Sequence, residues 1–283
     1  MEKQVVRVGN INCGSEQLFL ISGPCVIEDE STMMETAEYL KRLSERIPTN
    51  IIFKSSFQKD NRSKLSYYQG PGLDAGIKIL ARIKADYGFP ILTDIHYPDQ
   101  ADAVADVVDV IQIPAYLCMQ TSLLVAAAQT GCAVNIKHGQ FLSPENMSHP
   151  VNKCLDAGNS NIILTERGYT FGYNDLVVDP RSFYHLNKLG FPVVFDVTHS
   201  IRKYGIPSAD AKGGAREYLQ VLARAGVAAG VDGLFIEAHP QPDRALCDAA
   251  SQLCMYELED FMKPLLELHR VEAQYRQKEF ALS

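Results

Sequence analysis

Positively charged side chains stand at the ends of several short apolar runs in this sequence. They are Lys54, Lys137 and Arg167, with Lys59 and Arg62 following Lys54 in the same loop. A buried ammonium or guanidinium group is costly unless it meets an anion, so three such runs predict a phosphate- or carboxylate-bearing ligand. The alternative is structural ion pairing with Asp94, Glu166 or Asp196.

A second set of side chains has the chemistry of a transition-metal site. A thiol, an imidazole and two carboxylates are supplied by Cys25, His199, Glu237 and Asp248. Such a mixture of ligands suits a divalent transition metal better than magnesium or calcium. The spacing forms no short motif, and most free cysteines are simply buried, so a buried thiol is the alternative. His96 and His239 also end apolar runs and compete as ligands.

Eight apolar runs would position both sets of side chains. They cover residues 18–25, 50–57, 89–96, 109–114, 132–138, 161–167, 192–199 and 233–239. Residues 162–164 do not alternate polar and apolar, which is typical of parallel strands covered on both faces. Helix-like stretches lie between the runs, among them Ser31–Arg46 with Ser31 as N-cap, Gly72–Tyr87 and Gly213–Ala229.

This alternation predicts an α/β fold, a (β/α)8 TIM barrel. In such a barrel the side chains at the carboxyl ends of the strands converge on one face, where the active site lies. An open doubly wound sheet is the alternative, but no G-x-G-x-x-G motif follows any of the runs.

The remaining segments extend the barrel. Val5–Val8 and Ile11–Cys13 flank Gly9-Asn10, which predicts a hairpin within residues 1–16, covering the N-terminal mouth at the bottom of the barrel. We predict a single domain over residues 1–283, with a helical tail at 257–283. Residues 200–212 form the longest connection without periodicity, and we expect a lid there.

Composition restricts the partners of the chain. Its 283 residues carry a formal net charge of −7 and no basic stripe, so we expect no nucleic-acid partner. No apolar stretch approaches the ~20 residues of a membrane span, and no signal-peptide pattern begins the sequence, so we expect a cytoplasmic protein. Seven scattered cysteines without a C-x-x-C pair predict reduced thiols.

A series of short motifs gives the chain a resemblance to a known enzyme family over nearly its whole length. In order, they are Gly23–Cys25, Phe53–Phe57, Lys59–Ser63, Gly70–Leu73, Thr93–His96, Gln112–Ala115, Gly139–Pro144, Thr165–Gly168, Phe171–Tyr173, Phe195–Ser200 and Glu237–Pro240. Together they resemble the 3-deoxy-D-manno-octulosonate 8-phosphate (KDO8P) synthases. The related DAHP synthases read Lys-Pro-Arg-Thr-Ser where this chain has Lys59-Asp-Asn-Arg-Ser63.

The resemblance implies an enzyme that condenses phosphoenolpyruvate (PEP) with D-arabinose 5-phosphate and water. The products would be KDO8P, for lipopolysaccharide biosynthesis, and phosphate. The implied PEP contacts are Lys54, Ser56, Lys59, Lys137, Gln140 and Arg167, with His199 nearby. Those of the aldose phosphate are Asn61, Arg62 and Ser63, with Asp94 near its hydroxyls. The family is typically a homotetramer in which Arg62 would reach a neighbouring site.

The family divides at the position of Cys25. Members with cysteine there bind a divalent metal, and members with asparagine work without one. Cys25, His199, Glu237 and Asp248 fill all four ligand positions, so the resemblance implies a divalent ion such as Zn, Fe, Mn or Co. The side chains expected to take part in the chemistry are Lys59, Lys137, His199, Asp248 and Cys25.

Four positions depart from the family pattern. Met119 and Gln69 stand where arginine is usual, Ser122 where aspartate is usual, and His138 where a second lysine is usual. Losing a phosphate-contacting arginine costs about 1.5–3 kcal/mol if nothing replaces it. One alternative is therefore an enzyme of the same family with a different acceptor aldose. Another is a catalytically silent sugar-phosphate-binding scaffold.

Overall fold

The computed structural model describes residues 3–207 and 210–276. The strands are β1 (Val6–Val8), β2 (Ile11–Cys13), β3 (Phe19–Gly23), β4 (Asn50–Lys54), β5 (Ile91–Asp94), β6 (Val110–Ile113), β7 (Ala133–Lys137), β8 (Ile162–Glu166), β9 (Tyr169–Phe171), β10 (Asp175–Val177), β11 (Val193–Asp196), β12 (Gly233–His239) and β13 (Leu253–Cys254). The helices are α1 (Glu30–Arg46), α2 (Leu73–Tyr87), α3 (Ala101–Ala105), α4 (Thr121–Gln129), α5 (Ser148–Asp156), α6 (Pro180–Asn187), α7 (Val197–Ser200), α8 (Leu219–Ala228) and α9 (Leu258–Arg276).

Strands β3 to β8, β11 and β12 close into a parallel barrel with helices between them. Each strand pairs in parallel with its neighbour. The ring closes where Gly233 of β12 pairs with both Val194 of β11 and Phe19 of β3. All residues of β3, β7, β8 and β12 are buried, as expected for strands covered on both faces. The predicted (β/α)8 barrel is confirmed.

The N-terminal hairpin of β1 and β2 closes one end of this barrel. Its buried side chains Val6, Val8, Ile11 and Cys13 share an apolar cluster with the inward-facing residues of the strands. Among these is Phe235, at the middle of β12. The hairpin therefore fills the mouth opposite the strand carboxyl ends, as predicted.

Several predicted boundaries differ from the structure, and three of them differ for a local reason. Helix α1 is capped by Asp29, not Ser31, because the Asp29 carboxylate accepts the Thr32 N–H at 2.8 Å. The run 192–199 leaves the strand at Asp196, whose side chain accepts the His199 N–H at 2.9 Å and begins α7. The predicted helix 213–229 begins only at Leu219, after two short 3-10 turns.

Two connections on the carboxyl-end face bear on the site. Strands β9 and β10 form an antiparallel hairpin between β8 and α6. The predicted lid, residues 200–212, runs from the end of α7, and its residues 208 and 209 lie outside the described part. The predicted tail corresponds to α9 as far as Arg276, and residues 277–283 lie outside the described part. Among the described residues, no helix has the length and apolarity needed to cross a membrane.

Candidate active site

The carboxyl ends of the barrel strands bring the two predicted sets of side chains onto one face. Lys54, Asp94, Lys137, Glu166 and Asp196 each end a strand, Glu237 lies within β12, and Cys25 and Arg167 follow β3 and β8. Most of these charged groups are buried. Such burial requires mutual pairing or a ligand.

Lys137 lies at the centre of this face. Its ammonium pairs with the carboxylate of Asp196, lies 3.3 Å from Nδ1 of His199 and sits 3.9 Å from the ring centre of Phe235. Burial lowers the pKa of Lys137, and the opposing charges of Asp196 and Glu237 do not fully restore it. Lys137 therefore gives up a proton more readily than an exposed lysine.

Lys54 and Lys59 extend the positive charge toward β3. The Lys54 ammonium donates to the Cys25 carbonyl oxygen at 3.0 Å and to Oε1 of Glu237 at 3.1 Å. Burial alone would lower the pKa of Lys59, but the acidic groups around it, Cys25 and Asp94 foremost, raise it well above its ordinary value. Lys59 is thus held as a cation. Lys137 forms an ion pair with Asp196, one of the partners named in the structural alternative, whereas Lys54 pairs with Glu237, which that alternative did not name.

Asp94 lies beside these lysines. Its carboxylate accepts a hydrogen bond from the Ser56 hydroxyl and lies 3.5 Å from Nε2 of His96. Burial alone would raise the pKa of Asp94, but the charges of Lys59 and Lys54 hold it below its usual range. Asp94 is therefore an ionised hydrogen-bond acceptor at the edge of the cationic group.

Tyr204, on the predicted lid, joins the site and was missed by the sequence analysis. Its hydroxyl accepts hydrogen bonds from Arg167 Nη1 at 2.8 Å and Gln140 Nε2 at 2.9 Å. The Arg167 guanidinium also lies 5.8 Å from the Tyr204 ring centre. Arg167 and Gln140 are two of the predicted PEP contacts, so the lid segment touches the groups expected to hold the ligand.

The four predicted metal ligands form two groups that share one carboxylate. His199, Glu237 and Asp248 have donor atoms within 4.8 Å of one another, and so do Cys25, Cys247 and Asp248. Among the described residues, His96 and His239 belong to no such group. His239 instead accepts the Gln241 N–H at 2.9 Å.

The distances between the donor atoms of these residues can be compared with those around a bound metal ion. Among the described residues, the buried Oε2 of Glu237 has no hydrogen-bond partner, which is costly unless a cation meets it. Bonds of about 2.0–2.3 Å at tetrahedral angles place neighbouring donor atoms about 3.3–3.8 Å apart. Oδ2 of Asp248 lies 3.5 Å from both Cys25 Sγ and His199 Nε2, and His199 Nε2 lies 3.8 Å from Oε1 of Glu237. The residues fit.

The protonation states of the ligands are set by burial and neighbouring charge. Burial raises the pKa of the Cys25 thiol well above its ordinary value. Burial alone would also raise the pKa of Asp248, but the charges of Arg202 and His199 hold it well below its usual range. The carboxylates are thus ready to bind a cation, whereas the Cys25 thiol must lose its proton on binding.

Comparison with known proteins agrees with this arrangement. The family model described as "DAHP synthetase I family" matches residues 2–273. A curated protein of Desulfatibacillum aliphaticivorans named 2-dehydro-3-deoxyphosphooctonate aldolase is 48% identical to this chain, over 92% of this chain and 96% of that protein. The corresponding protein of Fusobacterium nucleatum is 48% identical, over 94% of this chain and 96% of that protein. The chain belongs to the DAHP synthetase I family.

The loop after β4 carries the residues that are predicted to contact the acceptor aldose phosphate. Asn61 and Ser63 are exposed. Arg62 is half-buried and turns inward: its Nη1 donates to Cys247 Sγ at 2.8 Å and its Nη2 to the Leu246 carbonyl at 3.0 Å. Within the chain, Arg62 therefore reaches the metal-ligand groups of its own site.

The departures from the pattern of the family's KDO8P synthases lie in different surroundings. Met119 is half-buried against the apolar core, Ser122 is exposed, and Gln69 is half-buried. His138 is fully buried, with Nδ1 3.4 Å from Oε2 of Glu166 and its ring packed edge-on against Tyr169. Its Nε2 faces the Leu142 carbonyl at 2.6 Å, so His138 supports the β7 and β8 loops.

Proposed function

We propose that this protein is a KDO8P synthase, which condenses PEP with D-arabinose 5-phosphate and water to give KDO8P and phosphate for lipopolysaccharide biosynthesis. The curated relatives carry the corresponding name at about half identity over nearly the full chain. The single observation that carries the proposal is the convergence of Lys54, Lys59, Lys137 and Arg167, all buried, on the carboxyl-end face.

PEP matches this group of cations in charge. Its carboxylate and phosphate are two anionic ends on a three-carbon unit, and four buried cations can neutralise both at once. Gln140, which shares the Tyr204 hydroxyl with Arg167, and Ser56, which donates to Asp94, add uncharged polar groups to the site. Fixing both ends of PEP holds its C3 carbon toward the acceptor and lowers the entropic cost of the reaction.

In the reaction one carbon–carbon bond and one carbon–oxygen bond from water are formed, and the bond between C2 of PEP and its phosphate oxygen is broken. C3 of PEP attacks the aldehyde carbon, whose oxygen takes up a proton, and water adds at C2 of PEP before the phosphate departs. Lys137, with its lowered pKa, can donate a proton at the reacting centre, and Nδ1 of His199 lies within reach to exchange it. Asp94 accepts hydrogen bonds from acceptor hydroxyls.

We also propose a divalent metal, Zn, Fe, Mn or Co, held by Cys25, His199, Glu237 and Asp248. When bound, such an ion supplies Lewis acidity for polarising a carbonyl or activating water. The surrounding lysines then provide the fixed positive charge that stabilises the developing negative charge.

A second candidate keeps PEP but changes the acceptor aldose. Met119 offers no charge to an acceptor phosphate where the family's KDO8P synthases usually have arginine, and it packs into the core. An acceptor with another terminal group would suit such a site.

The experiment is an acceptor screen with purified protein and PEP, read by phosphate release and by the mass of the product. We expect release with arabinose 5-phosphate in the presence of metal, and its loss after EDTA treatment with recovery on metal addition. Turnover with another aldose only would favour the second candidate. Failure of PEP to bind by calorimetry contradicts a PEP-condensing enzyme and leaves the catalytically silent scaffold as the remaining alternative. Full activity after complete metal removal contradicts the metal assignment.

We propose, finally, a cytoplasmic homotetramer in which Arg62 would leave its contact with Cys247 of its own chain to reach toward a neighbouring site. Exposed aromatic side chains on the carboxyl-end loops support an assembly, since Phe141, Phe171 and Tyr173 are 60%, 67% and 97% exposed. Light scattering on the eluted protein measures the mass. A monomer at working concentration contradicts the assembly.

A further inference from the structure

A second thiol lies beside Cys25. The Sγ atoms of Cys25 and Cys247 are 3.2 Å apart, and both residues are buried. Cys247 directly precedes Asp248 in the chain. It belongs to none of the motifs that carry the family resemblance, and its place beside Cys25 arises only from the fold.

The buried Gln252 holds the two cysteines together. Its Oε1 accepts the Cys25 N–H at 3.2 Å, and its Nε2 donates to the Cys247 carbonyl oxygen at 2.8 Å. One fully buried side chain thus fixes the backbone under both thiols. Their proximity is therefore a built feature of the site.

The backbone next to Cys247 is left-handed. Among the described residues, Asp248 is the non-glycine residue with a positive φ, at 49°. This conformation is uncommon for a residue other than glycine, and aspartate adopts it more readily than most. With this backbone, Oδ2 of Asp248 lies 3.5 Å from Cys25 Sγ.

The geometry around Cys247 allows its sulfur to bind a metal ion together with Cys25. Arg62 Nη1 donates to Cys247 Sγ at 2.8 Å, so this sulfur already acts as an acceptor. Two sulfurs on one ion, each about 2.3 Å away at a tetrahedral angle, stand about 3.8 Å apart. A small side-chain rotation converts the observed 3.2 Å to that distance.

We propose that Cys247 is a second sulfur ligand of the metal site, beside Cys25. The inference rests on the metal site of the proposed function and adds to it a ligand outside the predicted four. A pair of thiolates selects thiophilic ions such as Zn²⁺, Cd²⁺, Co²⁺ and Fe²⁺ over Mn²⁺ and Mg²⁺.

Cobalt spectroscopy counts the sulfur ligands directly. Metal-free protein, kept reduced, is titrated with Co²⁺, and the near-ultraviolet sulfur-to-cobalt charge-transfer band is recorded. We expect Cys247→Ser and Cys25→Ser each to lower the band intensity to about half that of the unsubstituted protein. Cys254→Ser, which removes a thiol from β13 outside both ligand groups, is the matched control and should leave the band unchanged.

The outcomes separate this inference from the proposed function. A full-intensity band in Cys247→Ser overturns the inference and leaves the four-ligand site standing. Failure of the unsubstituted protein to bind Co²⁺ overturns the metal site as a whole, and the phosphate-release assay then reports on the function independently.

Metal preference gives a second measurement. By calorimetry, Cys247→Ser and Cys247→Ala should weaken Cd²⁺ binding about tenfold or more while changing Mn²⁺ binding little. Circular dichroism identifies any variant that fails to fold. Equal losses for both ions in a folded variant contradict a sulfur ligand at Cys247.

Discussion

Lys54→Met tests how strongly the buried charges of the site depend on one another. The ammonium of Lys54 and the carboxylate of Glu237 are 3.1 Å apart, and their side chains are 2% and 0% exposed. With an effective dielectric constant of about 20, two unit charges at that distance attract by about 5 kcal/mol. Removing one partner of such a pair leaves an uncompensated buried charge, which costs about 3–5 kcal/mol.

The Lys54 ammonium is the ion-pair partner of Glu237, and the charges of His199 and Lys59 also act on the Glu237 carboxylate. Among the described residues, Oε2 of Glu237 has no hydrogen-bond partner, and His199 Nε2 is 3.8 Å from Oε1. Because His199 and Lys59 compensate Glu237 in part, we expect Lys54→Met to lower the free energy of unfolding of the metal-free protein by about 3 kcal/mol, the lower end of that range. The loss should be smaller in metal-loaded protein, because a bound cation neutralises Glu237.

Urea unfolding followed by circular dichroism, in EDTA and in metal, measures both quantities. Lys84→Met is the matched control, because Lys84 pairs with Asp109 at 2.9 Å but its side chain is 40% exposed. An exposed pair contributes about 0–1 kcal/mol. If the two variants lose equal stability in EDTA, the energetic argument for the buried site is refuted.

Three further predictions concern the lid, acid stability and the acceptor. Tyr204→Phe removes an acceptor of hydrogen bonds from Arg167 and Gln140. Because a hydrogen bond to a charged group contributes about 1.5 kcal/mol or more, we expect KM for PEP to rise about tenfold. An unchanged KM in steady-state kinetics would show that the contact between the lid and Arg167 does not support PEP binding. The pKa of Asp196 is held below its usual range, since the charges of His199 and Lys137 outweigh burial, which alone would raise it. Its carboxylate therefore stabilises the fold above the unfolded value of about 3.9, and that contribution is lost as the pH falls below it. Asp196→Asn should thus destabilise the protein strongly at neutral pH and less at low pH in urea unfolding; a pH-independent difference would contradict the assignment. Met119→Arg should lower KM for arabinose 5-phosphate at least about tenfold, because a hydrogen bond to a charged group contributes about 1.5–3 kcal/mol. KM for unphosphorylated arabinose should not change. Equal effects on both sugars would show that the new guanidinium does not contact the phosphate.

The barrel and the positions of its charged residues could be predicted from the sequence, because both follow from periodicity. Runs such as 162–164 are apolar without alternation, and a polar residue ending such a run must lie at the carboxyl end of a strand. That rule located Lys54, Asp94 and Lys137. The metal-ligand set needed the family resemblance as well, since Asp248 lies in a loop that no period describes.

Side chains placed by irregular backbone could not be predicted. Tyr204 lies in a loop whose course depends on contacts such as that of its N–H with the Asn174 carbonyl, 2.9 Å away. Cys247 reaches Cys25 only through Gln252, and such a three-residue arrangement has no sequence period. The end of β11 at Asp196 was missed because its side chain caps α7, a local choice that competes with strand formation.

The N-terminal hairpin that closes the bottom of the barrel affects the charges at the opposite end. Phe235 belongs to the apolar cluster formed with the N-terminal hairpin, and the same ring lies 3.9 Å from the Lys137 ammonium and 5.5 Å from that of Lys54. The hairpin therefore helps to keep water from the underside of the cations, and a drier surrounding strengthens every charge interaction above it. Two short strands at the start of the chain thus lower the local dielectric constant around the charged groups at the far end of the barrel.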